Sequence, residues 1–272
     1  MFDIQFNPLA DRHDGAAAEH GTRLMPLACP AHPQHAYELL CTLAAQLTAL
    51  GQRVVIIDAS ATEPPAPDRD GGGPIGLLSA LQDPSISGLG RAAHGADWLV
   101  MPGALGLHAL QQTAQLAGAS TALARLLAPF ASGSLVLLFA PAFALTQLLS
   151  GLSARALVPV LNQPQSSIDA YGTLKLLHAA GLIPVLAPLE LSTPELPQVP
   201  LSQVLTRVSA CAQRHLGLRL HTWPLQTWGL QVLQAALVWP PHPPHTAQTP
   251  PWNPAAAARG TNRAGVAPGY WS

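Results

Sequence analysis

Short apolar runs alternate with helical patterns along most of the chain, and this alternation constrains the fold more than any other feature of the sequence. The apolar runs are MPLA, RVVIID, DWLVMPG, SLVLLFAP, ALVPVLNQ and LIPVLAP. Helical patterns such as YELLCTLAAQLTAL, HALQQTAQLAGASTALARLLA and SIDAYGTLKLLHAA lie between several of them. Parallel strands need a crossover connection, which is usually a helix. The sequence therefore predicts an α/β fold, a mainly parallel sheet with helices on both faces.

Glycines mark where the predicted helices end. Gly51 follows the first helical pattern and Gly181 follows SIDAYGTLKLLHAA. A late helix, LSQVLTRVSACAQRHLGLRL, is expected to end near Gly217. Glycine is typical of the position after the last helical turn, because it adopts positive φ angles without steric cost.

Composition changes along the chain predict three parts. Residues 1–22 are polar and rich in alanine, and we expect a flexible leader there. Residues 23–238 carry the strand and helix patterns and form the predicted α/β domain. Residues 239–272 are dense in proline, which prevents both helix and central strand, so the sequence predicts a disordered or extended tail.

One stretch raises the question of a membrane. Residues 126–152 contain no charged residue and exceed the ~20 residues that a spanning helix needs. Pro129, Gly133 and Pro141 interrupt the run, so a buried strand followed by a helix is favoured over a transmembrane span. Residues 227–239 are apolar without lysine or arginine, which favours packing against the core and membrane contact that is at most peripheral.

Charge and cysteine content indicate which partners and which cellular compartment to expect. The chain has 13 Lys plus Arg and 14 Asp plus Glu, so no basic excess favours nucleic acid, and nucleic acid is not an expected partner. Its three cysteines form no C-x-x-C pair, and the N-terminal residues lack a basic start with an apolar run. A reducing cytoplasm fits best, with peripheral attachment at the inner membrane left open.

Two chemistries are weakly indicated. Cys29, His32 and His35 have a C-x₂-H-x₂-H spacing that could in principle hold Zn²⁺. A fourth ligand is not indicated and prolines restrict the loop, so a solvated loop is favoured and no metal is expected. Serine, histidine and aspartate occur, but no Gly-x-Ser-x-Gly turn places a serine for nucleophilic catalysis.

The stretch QPQSSIDAYGTLKLL, residues 163–177, is the most specific motif in the chain. It resembles the MinD/ParA family of deviant P-loop ATPases, and most closely the FlhG/FleN-type regulators of flagellar number. The segments GQRVVIID, GADWLVMPGALGLHAL and RHLGLRL match family segments in the same order, so the resemblance covers residues 23–222. The matching motif residues are Pro164, Ser166, Asp169, Ala170, Tyr171 and Lys175.

The resemblance implies a P-loop NTPase-like fold whose nucleotide site is degenerate. The family's glycine-rich loop falls on Pro30, Ala31, His32, Pro33, Gln34, His35, Ala36 and Tyr37. Ala31 and Ala36 then stand at the two lysine positions, and Tyr37 stands where a hydroxyl binds Mg²⁺. Glycines let backbone amides converge on phosphate and lysines neutralise it, and neither is present here.

The acidic positions are changed as well. Ser60 stands at the position of the second aspartate after the strand, and Phe139 stands where the family has an Mg²⁺-linked acid. Asp58 remains, and alone it is more typical of a strand-end or capping residue. In the motif, the structural interpretation puts Asp169 in a first helical turn and Lys175 in solvent. We therefore expect no catalysis and no cofactor, with ATP and Mg²⁺ relevant only if that expectation is wrong.

The favoured functional hypothesis is a non-catalytic relative of the flagellar regulators that acts through protein contacts. The resemblance implies the SRP-type flagellar GTPase as a partner. The family's activating Asp-Gln-Ala element is not visible in residues 1–22, so binding and GTPase stimulation are separate questions. The alternatives are a MinD-like accessory protein of cellulose secretion or cargo positioning, and an ATPase with an atypical P-loop. A homodimer stays open, because ATP between the subunits drives dimerisation in the family.

Overall fold

The fold is described from a computed structural model of the 272-residue chain. The described residues are 21–30, 33–63, 75–90, 98–191 and 198–239, and for residues 33–35 the description covers the backbone alone. The chain divides into two units, Met1–Pro240 and Pro241–Ser272, and every described residue belongs to the first. Most of the predicted leader and all but one residue of the predicted tail therefore lie outside the described residues.

Strands and helices alternate from the first described residues onwards. The strands are β1 (Thr22–Cys29), β2 (Arg53–Asp58), β3 (Trp98–Pro102), β4 (Ser134–Pro141), β5 (Arg155–Leu161), β6 (Ile183–Leu189), β7 (His221–Thr222) and β8 (Leu237–Trp239). The helices are α1 (Pro33–Ala49), α2 (Leu77–Gln82), α3 (Ala104–Ala117), α4 (Ala119–Leu127), α5 (Ala142–Leu149), α6 (Ser166–Ala179), α7 (Leu201–Leu216) and α8 (Trp228–Ala235). Each of the six predicted apolar runs overlaps one of the strands β1 to β6.

The strands form one sheet in the order β3-β2-β4-β1-β5-β6-β7. All neighbours in this order are parallel, and β8 alone runs antiparallel, against the start of β1. β4 lies between β1 and β2, with Leu27 and Asp58 both in register with Phe139. The predicted mainly parallel sheet is confirmed.

Two apolar clusters cover the two faces of the sheet. On β4, Leu135, Leu137 and Phe139 belong to the cluster that includes α1 and α8. The alternating residues Val136 and Leu138 belong to the cluster that includes α2 to α7. This alternation follows from the two-residue period of a strand, since both faces of a central parallel strand must be apolar. The expectation of helices on both faces is confirmed.

The uncharged stretch 126–152 forms a strand and a helix, not a span. It comprises the end of α4, the buried strand β4 and the helix α5. Within the described residues, no helix has the length and apolarity to cross a membrane. The pattern HALQQTAQLAGASTALARLLA is helical but divided, because Gly118 has a φ of 88° and separates α3 from α4.

The predicted helix ends at glycine are confirmed. Gly51, Gly181 and Gly217 have φ angles of 75°, 79° and 66°. At Gly217, which caps α7 in the left-handed conformation, a side chain would add strain.

The apolar stretch 227–239 packs against the domain, as the sequence predicts. Trp228 is fully buried, and its indole nitrogen donates a hydrogen bond to the carbonyl oxygen of Trp223 at 2.6 Å. Gln46 of α1 holds the same region, since its amide nitrogen donates to the Leu225 carbonyl at 2.8 Å and its amide oxygen accepts from the Gly229 amide at 3.0 Å. Leu230 remains 54% exposed on the outer side.

Candidate functional site

The topology itself indicates where a ligand would bind. The chain leaves β1 for α1 on one face of the sheet, whereas it leaves the neighbouring strands β4 and β5 for α5 and α6 on the other face. Connections that diverge in this way open a crevice at the carboxyl ends of the strands. The candidate site is therefore the region formed by the ends of β1, β2, β4 and β5.

The loop after β1 begins and ends with proline. Pro30 follows the strand, and Pro33 is the first residue of α1. Neither residue has a backbone N–H to donate to a phosphate. Ala31 and His32 lie outside the described residues, and nothing is described of the side chains of Gln34 and His35.

Ala36 shows how closely α1 packs at one expected lysine position. Its side chain has 0% exposure and belongs to the apolar cluster between α1 and the sheet. A lysine in this orientation would have to bury its stem and desolvate its ammonium group, or displace the helix. The position of Ala36 therefore faces the core, whereas a phosphate-binding cation must face the crevice.

Asp58 uses one carboxylate oxygen in a local turn. Oδ1 accepts hydrogen bonds from the backbone nitrogen of Ser60 at 2.9 Å and from its Oγ at 2.6 Å. The Asp58 carbonyl accepts from the Gly103 amide at 2.9 Å, which joins the ends of β2 and β3. This geometry is an Asx turn, in which a short polar side chain bonds the backbone two residues on. It agrees with the interpretation of Asp58 as a strand-end residue.

The negative charge of Asp58 acts on two neighbouring side chains. Burial and, second, the proximity of Asp58 raise the pKa of the Cys29 thiol to about 11. Burial, Cys41 and Asp58 raise the pKa of the Tyr37 hydroxyl. At neutral pH the Cys29 thiol is therefore mostly protonated, and a thiol is a far weaker nucleophile than a thiolate.

Phe139 fills the position at which the resemblance places an Mg²⁺-linked acid. It lies in β4, is 1% exposed and packs in the cluster beneath α1. In the register of the sheet it lies opposite Asp58 on one side and Leu27 on the other. An aromatic ring cannot coordinate Mg²⁺, whose ligands are oxygen atoms.

The motif of residues 163–177 builds the turn into α6. The Oγ of Ser166 accepts a hydrogen bond from the Leu161 amide at 2.8 Å, and this closes the connection from β5 to α6. Pro164 accepts a hydrogen bond from the Ser167 hydroxyl at its carbonyl oxygen, at 3.3 Å. Asp169 lies in the first turn of α6 and accepts a hydrogen bond from the Gln165 side chain at 3.3 Å.

The rest of the motif packs or faces solvent. Ala170 is 3% exposed, and Tyr171 makes an edge-to-face contact with His215 of α7, with 6.4 Å between the ring centroids. Lys175 is exposed. The structural interpretation of the motif agrees with these positions, and only its beginning lines the crevice.

A small cavity lies at the crevice beside Pro30. Pro159, Leu161, Ser166 and Asp169 are among its lining residues, and its volume is about 20 Å³. This volume is enough for roughly one water molecule. Gln163 is also a lining residue, and its side-chain nitrogen is buried without a hydrogen-bond partner. None of the described residues that line the cavity is a lysine or arginine.

Two polar residues that the sequence interpretation missed hold this edge of the sheet together. Glu63 is 3% exposed, and its two oxygens accept hydrogen bonds from the amides of Leu78 in α2 at 2.7 Å and Gly106 in α3 at 2.6 Å. Asn162 is 7% exposed and exchanges hydrogen bonds with the backbone of Leu191, at 2.9 and 3.1 Å. Glu63 therefore caps two helices at once.

The possible metal ligands are only partly described. Cys29 ends β1, and its Sγ contacts the Pro30 carbonyl at 3.4 Å. His32 lies outside the described residues, and the side chain of His35 is not described. Among the residues whose side chains are described, no three from His, Cys, Asp and Glu are grouped to hold an ion.

Comparison with known proteins finds solved structures with a similar fold and low sequence identity. No protein-family profile matches the chain, and no curated protein matches it. An ATP complex of a McdA variant from Cyanothece is 15% identical, covers 80% of this chain and 89% of its own, and has a TM-score of 0.47. MinD from Aquifex aeolicus is 13% identical over 68% of this chain and 78% of its own, with a TM-score of 0.40. A ParA family ATPase from Chlorobium tepidum is 10% identical over 78% and 88%, with a TM-score of 0.42.

Proposed function

We propose that this chain is a non-catalytic MinD/ParA-like protein that acts through protein contacts, in the control of flagellar number or placement or in flagellar biosynthesis. The observation that carries the proposal is Phe139, a buried aromatic residue at the position of the Mg²⁺-linked acid. The sequence resemblance supplies the family, and the contacts at the ends of the strands support the loss of chemistry.

Charge supports the same proposal. A nucleoside triphosphate carries several negative charges, and its binding depends on cations and converging amide donors. The described residues that line the cavity beside Pro30 include Asp169 and no cation. Asp58 adds a second carboxylate at the end of β2, with a hydrogen-bonded turn of its own. The described carboxylates at this edge would repel a triphosphate.

Exposed apolar side chains at the same edge support a role in protein contacts. Phe143, in the first turn of α5, is 61% exposed, and Ile168, in the first turn of α6, is 65% exposed. α5 and α6 pack against each other and both begin at carboxyl ends of strands. A contiguous apolar patch at this edge would serve as a protein interaction site, and Phe143 and Ile168 are the proposed members of it.

The proposed partner is the SRP-type flagellar GTPase, with binding that needs no nucleotide on this chain. The test is a titration of the purified GTPase against the full chain without ATP, with GTPase rate measured separately. We expect saturable binding that Phe143→Asp weakens at least about tenfold, which corresponds to ~1.4 kcal/mol. Leu116→Asp is the matched control, because Leu116 is 89% exposed at the far end of α3 and should leave binding unchanged.

Absence of binding, or binding that appears only with ATP, would contradict the proposed partner. Equal effects of the two aspartate substitutions would contradict the assignment of the binding edge. Stimulation of the GTPase is not required by the proposal, because the activating element of the family is not visible in residues 1–22.

A further inference from the structure

The open edge of the sheet at β7 carries a groove. In the described part of the chain β7 pairs with β6 on one side and with no strand on the other. The groove has a volume of about 570 Å³ and lies between α7 and the segment 218–220 that leads into β7. Its lining includes Leu205, Ser209, Gln213, Leu218, Arg219 and Leu220.

The groove combines apolar walls with a one-sided charge. Leu205, Leu218 and Leu220 are half-buried and continuous with the core, whereas Arg219 is exposed. Arg219 is the one charged residue among the described residues that line the groove. An unpaired strand edge beside an apolar groove is the type of surface that accepts an added extended strand. The positive charge of Arg219 favours an added strand that carries acidic residues.

The start of the same chain has the matching pattern. In MFDIQF the apolar residues Phe2, Ile4 and Phe6 alternate with the polar residues Asp3 and Gln5. Strict alternation is the signature of a strand with one buried face. Residues 1–20 contain four acidic residues and one arginine. The segment is therefore opposite in charge to the groove and has the period of a strand.

We propose that residues 2–6 add to the sheet as an extended strand in this groove, with the apolar side chains of the segment against Leu218 and Leu220. The sheet order puts this position four strand spacings from β1, about 19 Å at ~4.8 Å each. Residues 7–21 connect the two places and can span up to roughly 50 Å. The groove residues that lead into β7 lie at the amino end of that strand. The first residues of β1 lie at the amino end of a strand that runs in the same direction. The connection therefore stays on one edge of the sheet.

A second copy of the same edge is the alternative occupant, and the dependence of protection on protein concentration distinguishes it from the chain's own segment. The inference concerns the edge at β7 and does not depend on the nucleotide site or on the flagellar proposal.

Hydrogen exchange of the full chain tests the docking. Backbone amides of residues 219–222 are expected to exchange slowly in the unmodified protein, and at least about tenfold faster in Ile4→Asp, because a strand edge is protected only while paired. Leu218 is left out because its amide already donates to the Ala212 carbonyl. Gln5→Asp is the matched control, since it adds the same charge on the opposite face of the segment and should leave the exchange slow. Arg219→Glu should also speed the exchange, whereas Arg207→Glu, an exposed change on α7 outside the groove, should not.

Three results would overturn the proposal. Equal exchange at residues 219–222 in the unmodified protein and in Ile4→Asp would show that the segment does not cover the edge. Equal acceleration by Ile4→Asp and Gln5→Asp would show that the alternating face has no role. Protection that rises with protein concentration would assign the edge to a second molecule instead of to the chain's own segment.

Discussion

Replacing Glu63 with alanine is expected to lower the free energy of unfolding by about 3–6 kcal/mol. The side chain is 3% exposed and its two oxygens accept hydrogen bonds from the amides of Leu78 and Gly106. A hydrogen bond to a charged group contributes roughly 1.5–3 kcal/mol, and the two bonds are made by different oxygens, so their losses add. Both amides belong to first helical turns, where no helical carbonyl can replace the carboxylate.

The free energy of unfolding is measured by urea denaturation monitored by circular dichroism. The dependence of that free energy on urea concentration is compared between variants. Glu63→Gln should give roughly half the loss, because its amide oxygen accepts one bond while its amide nitrogen cannot accept the other. Glu190→Ala is the matched control, because Glu190 is exposed and should change the free energy by less than about 0.5 kcal/mol. A loss below about 1 kcal/mol for Glu63→Ala would refute the argument that this residue caps both helices.

Three further predictions concern the domain and its tail. Trp228→Ala should cost about 3–5 kcal/mol in the same unfolding assay, because it empties a fully buried site and leaves the Trp223 carbonyl without its donor. In a variant whose only cysteine is Cys29, alkylation at pH 8 should be about tenfold slower than for a thiol of ordinary pKa, because a pKa of about 11 leaves roughly 100-fold less thiolate while each thiolate is more nucleophilic. Asp58→Asn should raise the rate. Deleting residues 245–272 should leave the melting temperature nearly unchanged, because a proline-rich stretch buries little apolar surface. A large fall would count against the assignment of this stretch as a tail.

The sequence predicts the elements of this fold better than their arrangement. Each apolar run overlaps a strand because a central parallel strand must be apolar on both faces, and that requirement is local. The insertion of β4 between β1 and β2 and the antiparallel pairing of β8 depend on contacts between distant residues. No local pattern in the sequence specifies those contacts.

In the candidate site, too, local features can be predicted from the sequence and contacts between distant residues cannot. The turn at Asp58 follows from the short spacing Asp-x-Ser, so a local interpretation suffices. Glu63 was not predicted, because its partners lie 15 and 43 residues away along the chain. A buried glutamate is rare unless its charge is paired or hydrogen-bonded, but burial itself cannot be seen in an isolated Glu-Pro-Pro sequence.

The central claim is that this chain does not use a nucleotide, and calorimetric titration of the full chain with Mg-ATP tests it most directly. Losing three charged contacts to a triphosphate, each worth about 1.5–3 kcal/mol, weakens binding by roughly 10³ to 10⁶-fold. The account therefore predicts no measurable binding at physiological ATP concentrations. Ala36→Lys should not restore it, because Ala36 is fully buried on the face of α1 that packs against the sheet. Micromolar binding that is lost on Asp58→Ala would contradict the account and favour an ATPase with an atypical loop.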